Sequence, residues 1–246
     1  MSVRGPMATD VSTSQHELVL REGLLTVTGR LVDASNATLM AIASLNGIEI
    51  TCIYKPIAGE RPLWDFPEGT LAHREYAAFL LSRESSLNVV PVTLLREGPF
   101  GEGMVQLWVD IDESIDLMEF FPSENPQLRK MALFDAIINN TDRKIGHLLP
   151  TKEGWVFGCD HGVTFHSEDK LRTVLWQWAG QEFSPDEKEL LGNLSNTLAG
   201  SFGEELRLFI TFEELAALRF RLQRLMKTGI FPHPSTEWPA VPWPPF

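Results

Sequence analysis

Asn46-Gly47 stands between an apolar, strand-like run at 38–45 and an alternating run at 48–54. Both residues tolerate positive φ, which the tight two-residue turn between antiparallel strands requires. This dipeptide commits the front of the chain to a hairpin. Residues 24–32 alternate around Thr26 and Thr28 and add a third strand through the polar turn Asp33-Ala34-Ser35-Asn36-Ala37. The meander ends at Lys55-Pro56, since proline has no N–H to offer a ladder.

A Gly- and Pro-rich loop at 57–69 leads to a helix predicted over 70–82, with Thr70 as its cap and Glu75 on its second turn. Two further strands are predicted at 89–95 and 104–110. The character changes after Asp110. Residues 111–121 and 127–139 have helical spacing, a hairpin pairs 148–149 with 155–158, and a helical region is expected around 171–178. Ser184-Pro185-Asp186-Glu187 and Thr211-Phe212-Glu213-Glu214 each set a hydroxyl three residues before a glutamate, the reciprocal capping box. Leu215, Leu218, Leu222, Leu225 and Met226 line one face of the last helix, which Gly229 stops.

The organisation that follows is a disordered tail at 1–15, a β-rich lobe at 16–110, a helical lobe at 111–231 and a proline-rich tail at 232–246. The fold class is α+β and bilobal, a small antiparallel lobe joined to a mainly helical one. That organisation resembles the protein-kinase-like architecture, with the nucleotide expected in the cleft between the lobes.

Charge narrows the partners. The formal net charge is −12, from 33 acidic and 21 basic residues, and no Lys/Arg run breaks the acidic surface. Such a chain repels nucleic acid and anionic membrane. No apolar run reaches transmembrane length, and the polar first residues lack the apolar core of a signal peptide. Cys52 and Cys159 lie in apolar, strand-like segments and read as buried thiols of a reducing compartment. A cytoplasmic protein without nucleic-acid partners or stable membrane association is expected.

Four residues have chemistry the pattern can place. Lys55 closes the third strand, where an ammonium can neutralise α/β-phosphate oxygens, and Glu75 on the next helix can hold that ammonium in position. Asp142 follows an apolar helix, where it can accept or orient the proton of an attacking hydroxyl; Asn-Thr-Asp is also good Asx-turn chemistry. Asp160 ends an apolar strand before His161-Gly162, where a carboxylate can bind a divalent ion that bridges ATP phosphates. Among the tryptophans, Trp108 near the inter-lobe linker is the candidate adenine contact, with the backbone of 106–110.

Asn140-Thr141-Asp142-Arg143 and Phe157-Gly158-Cys159-Asp160-His161-Gly162 resemble the catalytic and metal loops of the phosphoinositide 3-/4-kinase superfamily. The type II phosphatidylinositol 4-kinases and the HipA-type kinases have the most similar pattern, and Asn88-Val89-Val90-Pro91-Val92-Thr93 resembles the strand after their lysine-partner helix. More narrowly, the chain resembles an actinobacterial branch of phosphoinositide-kinase-like proteins, over roughly residues 20–230. The resemblance implies that Lys55 binds phosphates, Glu75 supports it, Asp142 is the catalytic aspartate and Asp160 binds metal. It also implies ATP with Mg2+ or Mn2+ as cofactors.

Two positions depart from that pattern. His147 stands where the family has an asparagine that holds a second metal. Either the metal preference is altered, or one metal is lost, or Asp160 suffices alone. No glycine-rich turn joins the first two strands, so Ser35 and Asn36 would hold the phosphates through backbone N–H groups and the Ser35 hydroxyl. The function expected is transfer of the ATP γ-phosphate to a hydroxyl of a soluble acceptor, a small molecule or a protein. The alternatives are a nucleotide-binding pseudokinase, or a nucleotidyl transferase on the same fold.

Overall fold

The computed structural model describes residues 9–31 and 37–246. Helix α1, Thr9–Glu22, begins inside the stretch expected to lack structure. It buries Val19 and Leu20 and packs across the sheet, and Gly23 ends it by donating its N–H to the Val19 carbonyl at 2.8 Å. Strands β1 (Leu24–Arg30), β2 (Leu39–Leu45) and β3 (Ile48–Pro56) form the expected meander. Asn46 and Gly47 both have positive φ, 51° and 79°, so the hairpin closes as their chemistry demands.

Helix α2, Leu71–Glu84, follows, and strands β4 (Thr93–Gly98) and β5 (Gly101–Leu107) complete a five-stranded antiparallel sheet in the order β1-β2-β3-β5-β4. Two details differ from the sequence reading. Thr70 does not cap α2; its hydroxyl donates to the Pro67 carbonyl. The Glu60 carboxylate caps it, accepting the N–H groups of Leu71 (3.1 Å) and Ala72 (2.8 Å). Ladder pairing of β4 starts only at Thr93, because the N–H groups of Val89 and Val90 donate to the Ser82 hydroxyl and Pro91 has none.

The remaining lobe is helical. Helix α3 is one turn, Leu117–Phe120, since Asp112 folds its carboxylate back onto Ser114 and prevents the longer helix expected at 111–121. Helix α4, Pro126–Ile138, starts on an Asn125 cap, ends on Asn139 in the left-handed region, and is buried along most of its length. Strands β6 (Leu148–Pro150) and β7 (Val156–Gly158) make the expected hairpin beside it. Helices α5 (Pro185–Ala199) and α7 (Phe212–Thr228) carry both capping boxes, and the short α6 (Ser201–Leu206) joins them. Met226 of α7 is 36% exposed and does not belong to the packed face; the buried Glu214 and Arg221 do.

No helix forms at 171–178. Leu171, Val174, Leu175 and Trp178 have helical spacing, yet the backbone there is bonded elsewhere. Thr173 pairs with Arg143, the Arg172 N–H donates to the Asn140 carbonyl, and the Val174 N–H donates to the Arg143 carbonyl.

A buried ion pair crosses from one lobe to the other. Arg74 of α2 lies 2.6 Å from the Glu214 carboxylate of α7 and also donates to the Thr164 carbonyl. Among the described residues, no helix is long and apolar enough to cross a membrane.

Candidate active site

Strand β3 alternates, so Tyr54 enters the core and Lys55 projects from the opposite face. Glycine is required directly beside it. A Cβ on Gly103 would lie 2.5 Å from the Lys55 carbonyl oxygen, so a side chain there would push β5 away from β3. The Lys55 ammonium is 2.7 Å from one Glu75 oxygen and makes an ion pair with Asp160. The other Glu75 oxygen accepts the His161 backbone N–H at 2.9 Å. One helix carboxylate thus aligns both the strand lysine and the loop that carries Asp160.

Burial alone would lower the Lys55 pKa, but the Asp160 and Glu75 carboxylates outweigh it and hold the ammonium protonated far above neutral pH. The Lys55 charge in turn holds the Asp160 carboxyl well below the usual carboxylate range. Asp160 itself has φ 57°, in the left-handed region that aspartate tolerates better than most residues.

Asn139 and Asn140 build the loop that presents Asp142. The Asn140 amide donates to Asp135 at 2.9 Å while its carbonyl accepts the Asp142 N–H at 3.0 Å. The Asx turn is therefore present, and it positions Asp142 on the cleft. Burial raises the Asp142 pKa, with Lys144 and Arg172 opposing the shift and Asp160 adding to it.

Asp142, Asp160, Lys55 and Glu75 line one cavity of about 420 Å³ between the lobes. Ala37 and Thr38 border it too; Ser35 and Asn36, assigned to phosphate binding from the sequence, lie outside the described residues. Trp108 is not among the lining residues. It sits half-exposed just after β5, its backbone N–H donating to the Thr51 carbonyl, while Trp64 and Trp238 do line the cavity.

His147 Nε2 approaches the Asp160 carboxylate at 3.3 Å, and its Nδ1 accepts the Lys144 N–H. Burial lowers its pKa to about 4, so the ring is neutral at pH 7 and, by this network, carries its proton on Nε2. As placed, it donates to Asp160. Among the described residues, no three His, Cys, Asp or Glu side chains converge in a metal-binding arrangement. The carboxylates of Asp160 and Asp142 nevertheless suit a hard cation that takes one or two protein oxygens and completes its shell with phosphate and water.

The deepest part of the site escaped the sequence reading. The Arg143 guanidinium is fully buried, binds Asp135 through both carboxylate oxygens, donates to the Cys159 carbonyl at 2.9 Å, and meets His161 Nε2 at 2.7 Å. Because arginine only donates, His161 accepts through Nε2 and keeps its proton on Nδ1, 4.0 Å from Glu75. Burial and the Arg143 charge hold this ring neutral. A Cβ on Gly158 would fall 2.9 Å from Arg143, so glycine is needed there. One signal was available: Asp135 lies within an apolar helical run, and a buried carboxylate needs a cation. Cys52 is buried and Cys159 partly so, and burial pushes their thiols up to about 11 and about 12.

No family model matches the sequence. The Mycobacterium tuberculosis protein Rv2133c is 41% identical over 263 residues, an alignment covering 93% of this chain and 94% of that protein. Among solved structures, the Golgi casein kinase with Mn/ADP bound superposes with a TM-score of 0.59 at 14% identity, over 89% of this chain and 75% of that one. A second structure of the Golgi casein kinase gives a TM-score of 0.55 at 14% identity, over 92% and 75%. At that identity the likeness is one of fold, and the fold is protein-kinase-like: a small antiparallel β lobe and a mainly helical lobe.

Proposed function

The chain belongs to the family of Mycobacterium tuberculosis Rv2133c, and from its inter-lobe cleft we propose that it is an ATP- and divalent-metal-dependent kinase acting on a hydroxyl of a soluble acceptor. The observation that carries this reading is the Lys55 ammonium held between Glu75 and Asp160, with Asp142 on the same cavity. The resemblance of Asn140-Thr141-Asp142-Arg143 and Asp160-His161-Gly162 to the loops of phosphoinositide-kinase-like proteins supports assigning it to that branch of the fold.

In this scheme Lys55 neutralises phosphate oxygens, and Glu75 keeps its ammonium from swinging away. Asp142 orients the acceptor hydroxyl and takes its proton as the new P–O bond forms and the bond to ADP breaks. Asp160, with Asp142 or His147 beside it, would hold Mg2+ or Mn2+, which when bound neutralises charge on the transferred phosphoryl group. Positioning and electrostatic stabilisation supply most of the rate in such a site. Ser35 and Asn36 are assigned the phosphate-covering turn.

The test is γ-labelled ATP with Mg2+ and with Mn2+, following ADP release and label transfer. Asp142→Asn and Asp160→Asn should each lower turnover by roughly two to four orders of magnitude. Unchanged turnover in both variants would end the kinase assignment. The proton that His147 directs at Asp160 favours a second reading, a pseudokinase that binds ATP without converting it. A target that gains the mass of a whole nucleotide would point instead to nucleotidyl transfer.

A further inference from the structure

The proline-rich segment at 232–246 does not trail away from the helical lobe. The Pro245 carbonyl accepts the Ile145 N–H at 2.8 Å, in the middle of the loop between Asp142 and His147. The Ala240 carbonyl accepts two donors, the Thr173 N–H at 3.1 Å and the Trp176 indole N–H at 2.9 Å. Thr173 is the residue that pairs with Arg143. The loop bearing Asp142 therefore lies between 172–174 on one side and the proline-rich segment on another. Farther along, the Lys170 ammonium sits 4.6 Å from the Trp238 ring centroid and 4.8 Å from that of Trp64. Lys170 is also paired with Asp65 and Glu168, so the two indoles enclose a neutralised cation. Trp238 is the one cavity-lining residue drawn from beyond Arg172.

We propose that this segment is a working part of the active site: its Pro245 carbonyl fixes the position of the Asp142 loop, and Trp238 is a positioning residue that walls one end of the cavity. The inference rests on the kinase reading only for its kinetic consequence. The physical reason is loop entropy. A turn presenting a reactive carboxylate must be held to a fraction of an ångström, and residues 141–147 have little regular structure of their own to hold them. Proline suits a strap, because its fixed φ leaves less freedom to lose on docking. Lys55 and Glu75 bond to each other, to Asp160 and to the His161 N–H, all outside the segment, so nucleotide affinity and loop position should separate.

The test compares the full chain with a chain ended after Pro242, with Trp238→Ala, and with Phe220→Ala on α7, outside the segment, whose side chain is 68% exposed. Amide exchange is read at Ile145, at Thr173 and at Gly158, whose N–H is bonded to the Val89 carbonyl away from the segment. Ending the chain after Pro242 should speed exchange at Ile145 by about tenfold or more with Gly158 unchanged, the loss of one local bond. It should lower kcat for ATP turnover by about tenfold while KM for ATP stays within about twofold. Trp238→Ala should speed exchange at Thr173, and Phe220→Ala should match the parent in exchange and turnover. Unchanged exchange at Ile145, or equal acceleration at Ile145 and Gly158, overturns the proposal. Should the shortened chain not fold, Trp238→Ala decides, and unchanged exchange at Thr173 overturns it. If the full chain turns over no ATP, the kinase reading falls, and exchange alone judges the strap.

Discussion

At the residue scale, two titrations follow from where side chains are placed. In the proposed mechanism Asp142 must be ionised to take a proton, and burial raises its pKa. Rate should therefore fall, as pH drops, earlier than for an ordinary carboxylate. Lys144 and Arg172 both hold that pKa down, so Lys144→Gln should move the acid limb of kcat/KM to still higher pH, measured as ATP turnover against pH. His147 gives a stability effect of definite sign. Its native pKa is lowered to about 4 from 6.5. Between those values the unfolded chain binds a proton that the native chain does not, so stability is present above the upper value and is lost as pH falls toward the lower. The loss is about 3 kcal/mol over the window. His161 adds to it in the same direction. Urea unfolding at pH 7 and pH 5 should show His147→Asn losing less stability than the parent. At this scale the positions of Lys55, Asp142 and Asp160 could be read because each closes or follows a patterned element, and that of Glu75 because it falls on the second turn of a helix. The Arg143–Asp135–His161 cluster was not, since its partners are eight and eighteen residues from the arginine and only packing brings them together. Trp108, chosen for its place near the linker, does not line the cavity that holds Lys55, Asp142 and Asp160.

At the element scale, α2 matters most, because it carries Glu75 and is tied at two places. Glu60 caps its first turn, and Arg74 is locked to Glu214 at the start of α7. Glu214 also accepts the Thr211 N–H, so one carboxylate closes a capping box and anchors the other lobe. Glu214→Gln keeps the shape but leaves the Arg74 guanidinium buried without its counter-charge. The expected cost is about 3 kcal/mol or more in chemical denaturation, and because α2 is then free to shift, kcat should fall as well. Glu60→Ala removes a cap and should cost about 1 kcal/mol. The same elements explain what periodicity can and cannot say. Capping boxes at Ser184 and Thr211 are local, and both formed. The apolar spacing at 171–178 looked helical, yet its N–H groups answer to the Asp142 loop and the proline-rich segment, a demand no local window contains. The first turns of α1 are polar, so the packing of Val19 and Leu20 beneath the sheet, rather than an apolar stripe, marks that helix.

At the scale of the whole molecule, the cleft is bounded by both lobes, so a ligand that touches both should stabilise the chain as a unit. Lys55 comes from the sheet and Asp142 and Asp160 from the helical lobe. ATP with Mn2+ bound across them at a hundredfold excess over Kd should add about 2.7 kcal/mol. For a chain of this size that corresponds to a rise in Tm of roughly 5–10 °C. Asp160→Asn should abolish the metal-dependent part of that rise. It should also change the unliganded chain, since it removes the partner of a buried ammonium and leaves Lys55 with Glu75 alone. Comparing the two effects separates a carboxylate that serves only to satisfy Lys55 from one that also receives a cation. If the variant loses stability without ligand yet keeps the full Mn-dependent rise, Asp160 is a structural partner of the lysine, and the metal site must be sought at Asp142.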